Sequence, residues 1–189
     1  MIKIQNIYYM LVYAFQSLNE DSYMQIAAEE FENPSDLLAA ILAKGVSNQI
    51  KRGIGRDYIN KEELLTTPVG RINVSESIKG NSIVRKQLYC NYDNFSENTY
   101  MNQIVKTTML ILIKSLDVSN RQKKLLKQLI MYFGNVNEVK KHDIRWNKIN
   151  YHRNNSTYKM LMYICYLIID GMIINYEEGK KTGTGIIPD

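Results

Sequence analysis

A change of periodicity in the middle of the sequence is the feature that most constrains the fold. Long segments on both sides repeat apolar residues at the spacing of an amphipathic α-helix. Residues 56–95 instead carry short alternating runs, which Pro68, Gly70 and Gly80 interrupt. Because proline and glycine disfavour a continuous helix, we expect an α+β protein. It would be mainly helical, with a small antiparallel sheet of two to four strands.

About five helices are expected, with the sheet inserted between helices 2 and 3. The first helix covers residues 6–18. The second has Asn33 as its N-cap and Pro34 at its first position, and it ends at Gly53. The other three helices are predicted to begin at or near Ser96, Ser119 and Asn155.

The length of the chain favours a single main domain. With 189 residues, the chain can bury one substantial core. We assign residues 1–176 to this domain. Residues 177–189 contain several glycines and no apolar stripe, so we assign them to a flexible tail. Residues 136–151 are polar and mixed, and we expect a loop there with at most one short strand and Trp146 as its anchor.

Composition narrows the class of partner. The formal net charge is +5, which favours nucleic acid or an acidic protein surface. The longest apolar run, residues 160–169, is too short to span a bilayer, so we expect a cytoplasmic protein with no membrane partner. Cys90 and Cys165 lie among apolar or aromatic residues and are expected to be buried thiols.

No motif for catalysis or metal binding is complete. The GKKTG run at residues 179–183 lacks the glycine spacing of a phosphate-binding loop. The two histidines have neither metal-ligand spacing nor a nucleophile motif beside them. Glu138 and Lys140 imitate half of a nuclease metal site, but the Pro-Asp pair at residues 188–189 follows them instead of preceding them. We therefore assign no catalytic residue, metal ligand or cofactor to this chain.

Basic residues are the remaining candidates for a functional role, as binding residues for anionic partners. A Gly-Arg pair in a tight turn, Gly70-Arg71, would hold a planar and permanently charged group in place for a carboxylate or phosphate. Alternatively, Arg71 pairs with a local acid such as Glu63 or Glu76. Possible nucleic-acid contacts are Lys51, Arg52, Arg56, Lys123 and Lys124. Solvated lysines on exposed helix faces are the competing interpretation of these residues.

Four segments of the chain resemble the McrC family of modification-dependent restriction systems. They are IQNIYYMLVYAF, VGRINVSESIKG, NTYMNQIVKTTMLILIK and YHRNNSTYKM, in the family's order over residues 2–172. The resemblance implies an accessory subunit that binds a hexameric AAA+ GTPase, McrB, inserts its N-terminal region into the ring's pore and stimulates GTP hydrolysis. The family's complexes cut methylcytosine-containing DNA, and GTP and Mg²⁺ would belong to the partner complex.

The resemblance also implies site residues. The predicted partner-binding residues are Gly70, Arg71, Asn73, Lys79 and Arg85. The N-terminal motif at residues 6–11 would lie in the core. Phe15 and Val69 depart from the residues common in the family, and the chain reaches only the opening Pro-Asp of the family's nuclease domain. We therefore expect that it does not cut DNA by itself. A stand-alone basic DNA-binding protein is the alternative.

Overall fold

The computed structural model describes residues 7–9, 11–12, 21–27, 29, 31, 33–151, 155 and 157–170. The chain divides into two compact units. The sheet unit is Gly55–Thr99, and the helical unit consists of the described residues through Ile54 and from Tyr100 onward. The predicted α+β class is confirmed, because the chain is mainly helical and contains one small antiparallel sheet.

Seven α-helices are present in the described part of the chain, two more than expected. In order they are α1 (residues 7–9 and 11–12), α2 (Asp21–Ala27), α3 (Pro34–Arg52), α4 (Val74–Lys79), α5 (Tyr100–Lys114), α6 (Asn120–Ile130) and α7 (Tyr158–Ile169). The sequence analysis missed α2 and α4, which have only seven and six residues. Such short helices carry too few turns for a periodic pattern.

Helix caps decide where the long helices begin. Asn33 accepts a hydrogen bond from the backbone N–H of Asp36 at 3.0 Å, and the Ser119 side chain accepts from the N–H of Gln122 at 3.4 Å. Both predicted caps are confirmed. Ser96 is not a cap, because it ends a strand and its hydroxyl accepts from the N–H of Asn98. Helix α5 therefore starts later than predicted.

The core of the helical unit lies between α3, α5 and α7. Leu38 and Ile41 of α3, Ile104 of α5 and Ile164 of α7 are fully buried. Each such side chain contributes about 1.5–3 kcal/mol relative to exposure. The prediction that α7 is central is confirmed, since it packs against both α3 and α5. None of the helices that the structure describes is long and apolar enough to cross a membrane.

Before α7, the described residues 136–151 contain no strand. Residues 136–151 form loops with two 3₁₀ turns, Lys141–Asp143 and Trp146–Lys148. The Trp146 ring lies edge-on to Tyr166, with ring centroids 5.3 Å apart. Its indole N–H donates a hydrogen bond to Asp170. Trp146 is therefore the expected anchor of this segment.

The sheet unit has three antiparallel strands, β1 (Asp57–Leu65), β2 (Arg71–Ile72) and β3 (Leu88–Ser96), in the order β1-β3-β2. Strands β1 and β3 pair along their whole length. Helix α4 and a 3₁₀ turn, Ile83–Arg85, lie between β2 and β3 in the chain. Cys90 is the only buried hydrophobic residue in residues 55–99, all of which the structure describes. The core of this unit is therefore very small.

The two cysteines are free and buried, as predicted, with one in each unit. Burial raises the pKa of the Cys165 thiol to about 12, and a hydrogen bond with Thr108 offsets part of this rise. The thiol therefore stays protonated at neutral pH.

Candidate partner-binding surface

The turn into β2 is built around Gly70. Its φ angle of 68° lies in the left-handed region, which favours glycine. A Cβ atom at this position would lie 2.5 Å from the carbonyl oxygen of Asn91 and 2.6 Å from the Cβ atom of Tyr92. Backbone conformation and available space therefore both require glycine, and the turn passes directly against β3.

Arg71 follows this turn and is exposed. In the register of the sheet it lies opposite Asn91. Its guanidinium makes no ion pair or side-chain hydrogen bond with any residue that the structure describes. The cation is therefore held at a defined place by the sheet and remains available to an anionic group.

The two acids considered as partners of Arg71 are engaged elsewhere. Glu63 accepts a hydrogen bond from the Tyr92 hydroxyl at 2.8 Å and pairs with Lys61 at 3.3 Å. These contacts, the tyrosine first, lower the pKa of the Glu63 carboxyl. Glu76 pairs with Lys79 at 3.3 Å, one turn along α4. The alternative interpretation of Arg71 as part of a local ion pair is therefore wrong.

An open groove of about 460 Å³ lies beside Arg71. Asn73 lines this groove, but its side-chain oxygen accepts a hydrogen bond from the N–H of Glu76 at 3.2 Å. Its own N–H donates to the carbonyl of Tyr89 at 2.8 Å. Asn73 therefore caps α4 and extends the β2–β3 pairing.

The other two predicted partner-binding residues lie on the stretch between β1 and β3, residues 66–87, which we call the connecting segment. Lys79 is the last residue of α4 and keeps its ammonium exposed beside Glu76. Arg85 ends the 3₁₀ turn, is exposed, and has no ion pair with a described residue. The five predicted partner-binding residues therefore all lie between Gly70 and Arg85 in the sheet unit, and their role stays a prediction.

Charge is divided unevenly within the sheet unit. The connecting segment, residues 66–87, contains four basic residues and one acidic residue. Strands β1 and β3 together contain four acidic residues and one basic residue. The whole unit therefore has no net charge, but its positive charge is concentrated on the connecting segment.

The connecting segment also exposes apolar side chains. Their exposed fractions run from 38% to 84%. They belong to Val69, Ile72, Val74, Ile78, Ile83 and Val84. A single exposed aliphatic residue needs no explanation, whereas several of them together with cations make this segment a candidate interaction surface.

The residues proposed as nucleic-acid contacts lie in three separate parts of the chain. Lys51 and Arg52 end α3, where the helix dipole favours positive charge. Lys123 and Lys124 lie on α6, with Lys124 more exposed. Arg56 forms an ion pair with Glu97, so its charge is already compensated.

A sequence profile for the McrBC 5-methylcytosine restriction system component family matches residues 4–189. The chain belongs to the McrBC family. The McrC resemblance carried by the four sequence segments is thereby confirmed.

A curated relative of this McrBC-family chain is the type IV methyl-directed restriction enzyme EcoKMcrBC of Escherichia coli strain K12. It is 28% identical over 178 residues, which cover 94% of this chain and 51% of the relative. The chain therefore spans about half the length of the curated relative it matches.

Two solved structures share the fold of the McrBC-family chain. The first is a cryo-EM structure of the Thermococcus gammatolerans McrBC complex, with a TM-score of 0.60 and 15% identity over 74% of this chain and 42% of that chain. The second is a half-complex from a tetradecameric assembly of McrB AAA+ hexamers with bound McrC from the same organism. There the TM-score is 0.63 and the identity 14%, over 78% of this chain and 36% of that chain.

The N-terminal motif of the McrBC-family chain is only partly in the core. Tyr8 and Leu11 are buried, as expected for residues 6–11. Tyr9 is 66% exposed, so the core prediction is wrong for this residue. Two positions of the motif, like the tail at residues 177–189, lie outside the described residues.

Sequence reasoning missed Ser77 and Asn91. Ser77 holds α4 through hydrogen bonds to Asn73 and Tyr89, and Asn91 lines the groove opposite Arg71. The local signal was the spacing of Asn73 and Glu76, which is that of a helix cap. That signal predicts a short helix and with it a buried side of the connecting segment.

Among the described residues of the McrBC-family chain, no three His, Cys, Asp or Glu side chains are grouped so that they could hold a metal ion.

Proposed function

We propose that this chain is the motor-binding part of an McrC-like subunit, which docks on an McrB-type AAA+ GTPase hexamer and stimulates its GTP hydrolysis. Membership of the McrBC family supports this proposal, as does the shared fold with an assembly of McrB hexamers with bound McrC. GTP and Mg²⁺ belong to the motor, and DNA is bound within the complex in the cytoplasm.

The observation that carries the proposal is the exposed guanidinium of Arg71 after the Gly70 turn, which makes no ion pair with any residue that the structure describes. Phosphoryl transfer spreads negative charge over the transferred group, so a cation already held in place lowers the barrier without reorganising. Arg71 also suits a carboxylate that controls the motor, because its planar guanidinium can donate hydrogen bonds to both carboxylate oxygens. In either case the chain acts on chemistry that takes place in its partner.

The test compares Arg71→Glu with Arg145→Glu. Both arginines are exposed, but Arg145 lies in the helical unit and outside the proposed surface. GTP turnover of the cognate motor is measured while the chain is titrated. We expect Arg71→Glu to lower the maximal stimulation at least about tenfold, since a single stimulating arginine can supply far more than that. Arg145→Glu should stimulate like the unmodified chain.

Full stimulation by Arg71→Glu would contradict the role of Arg71. Absence of any complex between the unmodified chain and the motor would contradict the proposed function as a whole. The alternative, a stand-alone DNA-binding protein, requires DNA affinity without the motor that falls steeply with salt.

A further inference from the structure

Helix α4 buries a polar residue and exposes its apolar residues, which is the opposite of an ordinary surface helix. Ser77 is fully buried, whereas Val74 and Ile78 are 58% and 60% exposed. These two side chains are four residues apart and lie on one side of the helix. A surface helix normally buries its apolar side and exposes its polar side. Exposing this pair therefore serves something other than folding of the isolated chain.

Hydrogen bonds of Ser77 fix this orientation. Its hydroxyl donates to the carbonyl of Asn73 at 2.8 Å and accepts from the N–H of Tyr89 at 2.9 Å. The Ser82 hydroxyl donates to the Ser77 carbonyl at 3.1 Å. Rotating α4 to bury its apolar side would break these bonds and leave polar groups without partners, which is costly. The apolar side is therefore held outward.

The turn after α4 adds a third exposed apolar side chain to this segment. Backbone N–H groups of Asn81 and Ser82 donate to the carbonyls of Ile78 and Ser77, so the turn stays attached to the helix. It presents Val84, which is 84% exposed. We call Val74, Ile78 and Val84 the apolar patch. The same segment carries four basic residues and a single acid.

We propose that the apolar patch determines the affinity of the chain for its partner by entering an apolar recess rimmed with carboxylates on the AAA+ motor. This inference rests on the proposed function and assigns the chemistry of its docking site. A few well-packed and desolvated side chains near the centre of an interface supply most of its binding energy, and burying aliphatic side chains there is favourable. Charges around them guide association and select the partner.

Two other occupants fit the patch less well. A second copy of the chain would bring the same cationic segment against itself, and the chain as a whole has a net charge of +5. Nucleic acid would use the cations, but aliphatic side chains neither stack on bases nor hydrogen-bond to them. An acidic and apolar protein surface matches both properties of the segment.

The first experiment measures the dissociation constant for the cognate motor loaded with a non-hydrolysable GTP analogue, at 0.1 M and 0.5 M salt. The Val74→Ser/Ile78→Ser double variant should bind at least about tenfold more weakly at both salt concentrations, because apolar contacts are not screened. The matched control is Leu116→Ser, which changes a residue that is 96% exposed in the helical unit. It should bind like the unmodified chain.

A second pair of variants tests the acidic rim and does not depend on how the double variant folds. Val84→Glu and Val84→Lys change the same exposed position by opposite charges. We expect Val84→Glu to bind at least about tenfold more weakly than Val84→Lys at 0.1 M salt, since it brings a carboxylate toward carboxylates. The difference should shrink at 0.5 M salt.

The outcomes separate the two proposals. Unchanged binding of the double variant, or equal binding of the two Val84 variants at low salt, would overturn this inference and leave the proposed function standing. If the unmodified chain fails to bind the motor, the proposed function falls, and this inference falls with it.

Discussion

At the scale of single residues, Glu63, whose side chain is 43% exposed, makes a small and pH-dependent contribution to the stability of the sheet unit. The Tyr92 hydroxyl donates to its carboxylate, and this bond is the main cause of its lowered pKa. A carboxyl with a lowered pKa in the folded state contributes stability above its unfolded pKa. This contribution is lost as pH falls through the folded pKa, which here lies below 4.5.

Tyr92→Phe should therefore raise the pKa of Glu63 toward its ordinary value of 4.5. The measurement is a carboxyl-detected NMR titration. Tyr58→Phe is the control, because Tyr58 lies at the other end of β1, where its ring packs at a tilt against Phe95 of β3. The loss of stability caused by Tyr92→Phe should be present at pH 7 and should disappear below the folded pKa of Glu63. An unchanged titration of Glu63 would show that the hydrogen bond does not form in solution.

Residue-scale prediction from the sequence succeeded where one local contact decides the outcome. The position of Arg71 followed from the Gly-Arg pair, because only glycine tolerates the turn that precedes it. Whether Arg71 would be paired with an acid could not be predicted from the sequence. Whether it pairs with Glu63 depends on Tyr92, which is 29 residues away in sequence and reaches Glu63 only when β1 and β3 pair.

At the scale of secondary structure, strand β2 depends on the turn before it. With two residues, β2 is too short to hold its place by pairing alone. The close passage of the Gly70 backbone against Asn91 and Tyr92 fixes its register on β3. The presentation of Arg71 therefore follows from the geometry of the turn.

Gly70→Ala should displace β2 and destabilise the sheet unit by about 2 kcal/mol or more, combining a left-handed backbone with a steric overlap. Gly53→Ala is the matched control, since Gly53 also has a positive φ, of 97°, but nothing lies within 4 Å of its added Cβ. It should destabilise the helical unit by about 1–3 kcal/mol through backbone strain alone and leave the sheet unit unchanged. Urea denaturation measures the stability of both variants, and amide hydrogen exchange at Arg71 and Ile72 reports on β2. Unchanged exchange at these two residues in Gly70→Ala would contradict the steric argument.

Elements were predictable in proportion to their length. Helices α3 and α6 were readable from the sequence because their caps and apolar stripes agree. Helix α4 was not, because it has six residues and exposes its apolar side. Its hydrophobic pattern serves a surface, whereas the reading of periodic patterns assumes that apolar residues mark a core.

At the scale of the whole molecule, charge and core are distributed differently between the two units. The sheet unit has six basic and six acidic residues, so the rest of the chain carries the entire net charge of +5. The helical unit also contains all but one of the buried hydrophobic residues described by the structure. Bulk composition could not reveal this division, because it averages over both units.

Each unit contains one buried cysteine, so the alkylation of that cysteine reports the opening of its own unit. A thiol-specific alkylating reagent reaches Cys90 or Cys165 only when the surrounding unit opens. Because the sheet unit has almost no core of its own, Cys90 should become alkylated at a lower urea concentration than Cys165, as measured by mass spectrometry of the digested chain. Simultaneous labelling would mean that both units open in one cooperative step. If added motor protein slowed only the alkylation of Cys90, the motor would bind the sheet unit, and this result would require no mutation.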